Sequence, residues 1–180
     1  LHAHSARLVP EWAPQRAIWT AWPADADEWN GDLETPRQDV AALVRALAPT
    51  NRVRLLANGE EALLSAQSAV GEFAEIASAP YGDIWLRDTG PIFATGVDGP
   101  LALRFRNNGW GGKFDGRLDS EINQALHRRS TFGNAALRRH DLVLEGGAIE
   151  TDGAGTLLAT RSAVISATRN PQLDQMAIER

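Results

Sequence analysis

The stretch Tyr81-Gly-Asp-Ile-Trp-Leu-Arg-Asp-Thr-Gly-Pro91 sets three charges, Asp83, Arg87 and Asp88, beside Ile84, Trp85 and Leu86. Charges pressed against large apolar groups are costly to bury without partners. They either pair with one another at a strand end or wait for a charged ligand. A second stretch, Leu142-Val-Leu-Glu-Gly-Gly-Ala-Ile149, ends an apolar run on one carboxylate, Glu145, followed by two glycines. A carboxylate beside small residues that admit a ligand reads as site-forming, the alternative being a turn-exposed Glu. Between them lies Asn107-Asn-Gly-Trp-Gly-Gly-Lys-Phe114. This loop has neither the Walker nor the dinucleotide-binding spacing. Trp110 among glycines suits a pocket wall, with Gly allowing close backbone approach.

These residue types admit several chemistries. Asp88 and Glu145, with six Trp in the chain, suit a carbohydrate-binding or glycosidase domain, which needs carboxyl groups ~5–10 Å apart. Asp83, Asp88 and Glu145 form an oxygen-rich set that would suit Mg²⁺ or Ca²⁺, although Arg87 within it argues against a divalent cation. Sugar hydrolysis and calorimetry with either ion are the observations that test these two readings.

The chain has 180 residues, 43% hydrophobic and 23% charged, which is enough for one domain with a real core. Its net charge of −5 makes a phosphate backbone an unexpected partner and is compatible with a small cationic substrate. There is no Cys, hence no disulfide framework and no thiol chemistry within these residues. No apolar run is long enough for a membrane-spanning helix. The first ten residues carry no signal-peptide core, so a cytoplasmic protein is the default expectation.

The elements that must position the candidates are legible in order. Ala17–Trp22 reads as a strand stopped by Pro23, and Ala24–Asp32 as a loop. Thr35 as N-cap and Pro36 at the first helical position open a helix on Val40, Leu43, Val44 and Leu47. Val53–Leu56 is a strand closed by Asn58-Gly59, and Glu60–Val70 an amphipathic helix on Leu63, Leu64, Ala66 and Val70. Phe73–Ala77 is a strand leading to the Asp88 segment. Beyond it, Pro91–Ala94 and Leu101–Arg106 form a hairpin, Leu118–Arg129 a helix and Leu142–Leu144 a strand. Ala148–Glu150 and Thr156–Thr160 make another hairpin, Val164-Ile165 one more strand, and Asn170-Pro171 opens a helix. Hairpin, helix and strand thus recur with a period of ~40–50 residues, as in a propeller or array. A helix barely begun at Arg180 suggests a fragment.

Six blocks, Pro10-Glu-Trp12, Trp19-Thr-Ala-Trp-Pro23, Gly82–Pro91, Asn108-Gly-Trp-Gly-Gly-Lys113, Leu144-Glu-Gly-Gly-Ala-Ile149 and Arg169-Asn-Pro171, resemble the agmatine deiminase family, which includes the bacterial type of peptidylarginine deiminase. The resemblance runs from about Pro10 to Arg180, with the blocks in the family's order. It implies an α/β fold, part of a five-bladed α/β (pentein) propeller of ββαβ units. Residues 1–9 are then an N-terminal tail, and residues 10–180 the N-terminal half of a single propeller domain. It implies hydrolytic deimination, agmatine to N-carbamoylputrescine plus ammonia, through a Cys thiolate that forms a covalent amidino-thioether. A His moves the protons, and no cofactor or metal is needed. Residue by residue, Asp88 matches the carboxylate that grips two guanidinium nitrogens, and Trp85 the aromatic residue beside it. Glu145 matches the carboxylate that orients the catalytic His. Bidentate carboxylates suit a planar cation with several N–H donors, and an aromatic face adds ~0.5–2 kcal/mol. The implied partner is a small guanidine, with no nucleic acid and no membrane; a homo-oligomer is left open.

The chain departs from the family in lacking the His-x-Asp block and the Gly-rich Cys block, both expected beyond residue 180. Gln15-Arg16 stands where many members carry His-Glu. His2 and His4 fall in the expected tail, and His127 and His140 in or after a helix, the latter beside Asp141 as a relay look-alike. Arg104 and Arg106 alternate on one strand and so share a face. At the pocket they would favour a peptidyl or free arginine; elsewhere they are surface charges.

Overall fold

In the computed structural model residues 6–129 and 131–178 are described, so His2, His4 and Arg180 lie outside the described residues. In chain order the strands are β1 (Arg7–Leu8), β2 (Ile18–Ala21), β3 (Val53–Ala57), β4 (Glu75–Ser78), β5 (Ile92–Gly96), β6 (Gly99–Arg106), β7 (Ala136–Val143), β8 (Ile149–Thr151) and β9 (Leu157–Ala159). The helices are α1 (Glu34–Leu47), α2 (Glu60–Val70), α3 (Leu86–Thr89), α4 (Gly109–Gly112), α5 (Arg117–Arg128), α6 (Arg161–Val164) and α7 (Gln175–Ile178). They fall into two compact units, one of Pro14–Leu86 and one of Leu1–Ala13 with Arg87–Arg180.

The Pro14–Leu86 unit is a parallel sheet, β2-β3-β4, whose crossovers are α1 and α2. Central β3 is almost wholly buried, as a strand covered on both faces must be. Trp22, Val44, Leu55, Ala66 and Val70 pack in its core. Helix α2 spans the residues read from sequence, but it buries Ala62, Ala66 and Val70 and leaves Leu64 exposed. The expected Thr35 cap is corrected. Asp32 accepts from the Glu34 and Thr35 N–H groups at 2.9 and 3.2 Å, and Thr35 instead donates its hydroxyl to Asp32. Pro36 therefore sits within the first turn rather than at its start, where its missing N–H still costs no intrahelical bond.

The other unit holds a four-stranded sheet, β1-β5-β6-β7. Hairpin β5–β6 is antiparallel, and β7 returns after α5 to pair parallel with β6. That is the ββαβ order expected from the repeat. Strand β7 begins six residues before the expected Leu142. Its run Leu137-Arg-Arg-His-Asp141 is charged and mostly exposed, the composition of an edge strand, which hides it from an apolar-pattern search. His140 accordingly lies on this strand, stacked on Phe105 at 5.0 Å, and not after a helix. Hairpin β8–β9 forms as expected. The Val164-Ile165 strand does not: Val164 closes the helical turn α6. Nor does Asn170-Pro171 open a helix. Asn170 is buried, with Nδ2 donating to the Val143 and Val164 carbonyls and Oδ1 accepting from the Val143 N–H. Its side chain is spent on joining two segments, not on capping. No helix among the described residues is long and apolar enough to cross a membrane.

Candidate functional site

Asp88 lies in the short turn α3, half-buried, and both of its oxygens are engaged. Trp110 Nε1 donates to Oδ2 at 2.9 Å and the Gly147 N–H to Oδ1 at 2.8 Å. Arg87 does not pair with Asp88; it forms an ion pair with Glu11 and donates to the Ile149 carbonyl. The strand-end reading, in which the two neighbouring charges satisfy each other, is thereby replaced.

Trp110 reaches Asp88 because of its backbone. Its φ and ψ are 54° and 46°, left-handed, flanked by Gly109 at φ 67° and Gly111 at φ 83°. A bulky residue rarely adopts this region, so the surrounding loop must enforce it. A Cβ on Gly109 would overlap the Phe114 carbonyl oxygen, which is why the residue before Trp110 is glycine. The Asn108 side chain accepts from the Gly111 N–H at 3.0 Å and donates to the Thr168 carbonyl at 2.9 Å.

Glu145 is 4% exposed, which removes the turn-exposed reading. Its oxygens accept from Arg169 Nε at 2.8 and 2.9 Å. Gly146 and Gly147 bring this loop against α3: a Cβ on Gly146 would overlap the Arg87 carbonyl, and one on Gly147 would stand 2.5 Å from Asp88 Oδ1. Asp88, Trp110 and the Glu145 loop thus meet. Trp85 belongs to the other unit, where it is 57% exposed. An open depression of about 590 Å³ is lined by Glu11, Arg87, Gly147–Glu150 and Leu158–Thr160.

Arg104 and Arg106 do not act as a pair. The register shifts between them; Arg104 donates to the Ser120 carbonyl of α5, and Arg106 is exposed. Among the described residues no three His, Asp or Glu side chains gather as a metal ion requires, so the Asp83, Asp88 and Glu145 set has no geometric basis.

Two contributors escaped sequence reasoning, the Gly147 N–H and the Arg169 guanidinium. The first had no signal. The second had one: a lone carboxylate ending a buried strand needs a cation, and Arg169 precedes a turn-forming Asn-Pro.

Residues 7–180 match the family described as Porphyromonas-type peptidyl-arginine deiminase. An agmatine deiminase of Stutzerimonas stutzeri is 32% identical over 179 residues, which cover 96% of this chain and 48% of that protein. One of Pseudomonas aeruginosa is 33% identical, covering 97% and 48%. Among solved structures, a C. jejuni agmatine deiminase with substrate bound gives a TM-score of 0.87 at 26% identity, over 99% of this chain and 52% of the other. An agmatine deiminase of Enterococcus faecalis gives 0.87 at 25%, over 97% and 48%. The chain spans about half the length of the curated relatives it matches. These likenesses support the fold class that the family resemblance implied, α/β and part of a five-bladed propeller.

Proposed function

From its membership in the Porphyromonas-type peptidyl-arginine deiminase family, to which this chain belongs, we propose that it carries part of the active site of a hydrolase that deiminates a guanidinium group. The substrate is agmatine, as in the names of the relatives, and the products are N-carbamoylputrescine and ammonia.

One observation carries the reading: Asp88 is held through both oxygens by donors on two separate loops. Each carboxylate oxygen keeps a second acceptor site. A planar guanidinium can then donate one N–H to each, in the fork geometry that favours Arg-like cations. Trp85 supplies an aromatic face to the cation. Glu145 is the second carboxylate of the site, orienting the His that moves protons. A thiolate attacks the guanidinium carbon, and ammonia leaves with a proton from the His. An amidino-thioether forms, and water then adds and expels the thiolate as the ureido product departs. The chain contains no Cys, so the nucleophile comes from outside these residues; the His does too in this reading, since none of the four His here stands in a block matching the family's. The reading places the enzyme in the cytoplasm, on a route from agmatine toward putrescine.

A peptidyl or free arginine is the second substrate reading, favoured by the family's description. Against it, Arg104, one of the two candidate carboxylate binders, is committed to α5. The two are separated by competing agmatine against a C-terminal arginine peptide.

The test is Asp88→Asn in a polypeptide that supplies the Cys and His along with this chain. Loss of one charged acceptor is worth ~2–5 kcal/mol, so turnover falls by at least thirtyfold. Activity within threefold of wild type sinks the assignment. The 180 residues alone release no ammonia from agmatine in the same assay.

A further inference from the structure

We propose that Arg169 is the positioning residue that sets both carboxylates of the site, a reading that rests on the deiminase function proposed above. The Arg169 and Glu145 side chains are 15% and 5% exposed, and Nε alone engages both Glu145 oxygens. This places the cation behind Glu145 and fixes the Glu145–Gly147 backbone, whose Gly147 N–H binds Asp88 Oδ1. The same guanidinium lies close to the other arm. A Cβ on Gly111 would lie 3.1 Å from Arg169 Nη1 and 2.7 Å from Thr168 Oγ1, so the turn that carries Trp110 approaches Thr168 and Arg169 with no room for a side chain between. Trp110 Nε1 in turn binds Asp88 Oδ2. Both donors to Asp88 therefore stand one step from Arg169, one through Glu145 and one through Gly111.

The position of Arg169 is itself fixed. Asn170, next in the chain, is 1% exposed and ties its own turn to Val143, two residues before Glu145. The Arg169 and Asn170 N–H groups both donate to the Ser166 carbonyl, closing the turn. A buried ion pair that served stability alone would need only to be satisfied. This one also touches the glycine turn on which the Trp110 indole depends. A planar, pre-organised guanidinium can serve both contacts at once, whereas an ammonium is a point charge that serves one.

The experiment uses the natural polypeptide that contains these residues, in three variants: Arg169→Lys, Asp88→Asn and the double. Arg169→Lys keeps the charge on Glu145 and loses the planar fork. Agmatine kcat/KM falls about tenfold or more, chiefly in kcat. The double variant loses clearly less than the product of the two single losses, because part of the effect of Arg169 passes through Asp88 and only the part through Glu145 remains. Independently of turnover, the Trp110 indole N–H exchanges with solvent at least about tenfold faster in Arg169→Lys, read by NMR against an unchanged global unfolding midpoint. Additive losses in the double variant, or unchanged indole exchange, overturn the proposal. If the wild-type polypeptide turns over no guanidine, the deiminase reading fails and the indole exchange alone decides the role of Arg169. If Arg169→Lys does not fold, the pair Arg169→Met with Glu145→Leu leaves no orphaned charge and takes the same exchange measurement. Slow exchange in that pair overturns the proposal as well.

Discussion

The sheet of Pro14–Leu86 and the loops around Asp88 are held in place by different forces. In that unit, Val44 of α1 and Leu55 and Leu56 of β3 have no exposed surface, and the packing of apolar carbon sets the geometry. Around Asp88, four-residue turns and left-handed glycines replace long elements, and named polar pairs set the geometry: Trp110 to Asp88, Gly147 to Asp88, Arg169 to Glu145. Apolar packing is non-directional and tolerates small shifts. A hydrogen bond weakens steeply once its angle fails. The first region should therefore answer mutation with lost stability, and the second with lost geometry at little cost in stability.

The largest effect tests the first half of that contrast. Trp22 is 1% exposed, packs among Val40, Val44 and Leu55, and donates its indole N–H to Ser65 at 3.2 Å. Trp22→Ala should cost about 3–5 kcal/mol of unfolding free energy, measured by circular dichroism in denaturant. Trp12→Ala, at a highly exposed position, should stay within about 0.5 kcal/mol. Equal losses for the two would deny that the apolar core carries the sheet.

The contrast also explains what could be read in advance. Helix α2 was legible to the residue because its apolar period is local, and β3 because a doubly covered strand is a plain apolar run. The ββαβ order was legible from turn residues. Asp88, Glu145 and Trp110 stood out by type, each a costly residue beside glycine or large apolar groups. What brings them together was not legible. The Asp88–Trp110 bond spans 22 residues, the Glu145–Arg169 pair 24 and the Gly147–Asp88 bond 59. No periodicity encodes such pairings. Asn170 was misread for the same reason: next to Pro171 it has the local grammar of a helix start, and its bonds to Val143 and Val164 override that grammar.

A middle effect joins the two regimes at one residue, since Tyr81 is a polar group inside the apolar unit. Its hydroxyl donates to the Trp22 carbonyl at 2.6 Å and accepts from the Asn58 N–H at 3.1 Å. Burial pushes its pKa from 10.0 up to about 12, with the bonds to Asn58 and Trp22 pulling back only in part. The folded state keeps the proton that the unfolded state releases. The contribution is thus fully present below pH 10 and is lost as pH rises toward 12. The expected loss is about 2–3 kcal/mol across that window, and Tyr81→Phe should remove the part of the slope that this hydroxyl contributes. A wild-type alkaline slope unchanged by that substitution would mean that the buried hydroxyl is not its source.

The smallest effect in energy sharpens the second half of the comparison most. Gly147 is exposed, and its backbone lies outside the left-handed region, so alanine is conformationally allowed there. Restricting the unfolded chain offsets part of the cost of displacing Asp88, so Gly147→Ala should stay within about 1 kcal/mol of wild type in stability. Yet the new methyl would stand 2.5 Å from Asp88 Oδ1, and Trp110 holds the other oxygen, so the carboxylate cannot simply rotate aside. In the polypeptide that supplies Cys and His, agmatine turnover should fall by about tenfold or more, about 1.4 kcal/mol in the barrier. Gly146→Ala, one residue earlier, meets the rigid Arg87 carbonyl and should lose stability and turnover together. Adjacent glycines would then separate the two kinds of constraint. A Gly147→Ala protein with full turnover and a lowered unfolding midpoint would show that this loop too is held by packing, and that the Gly147 contact does not set Asp88.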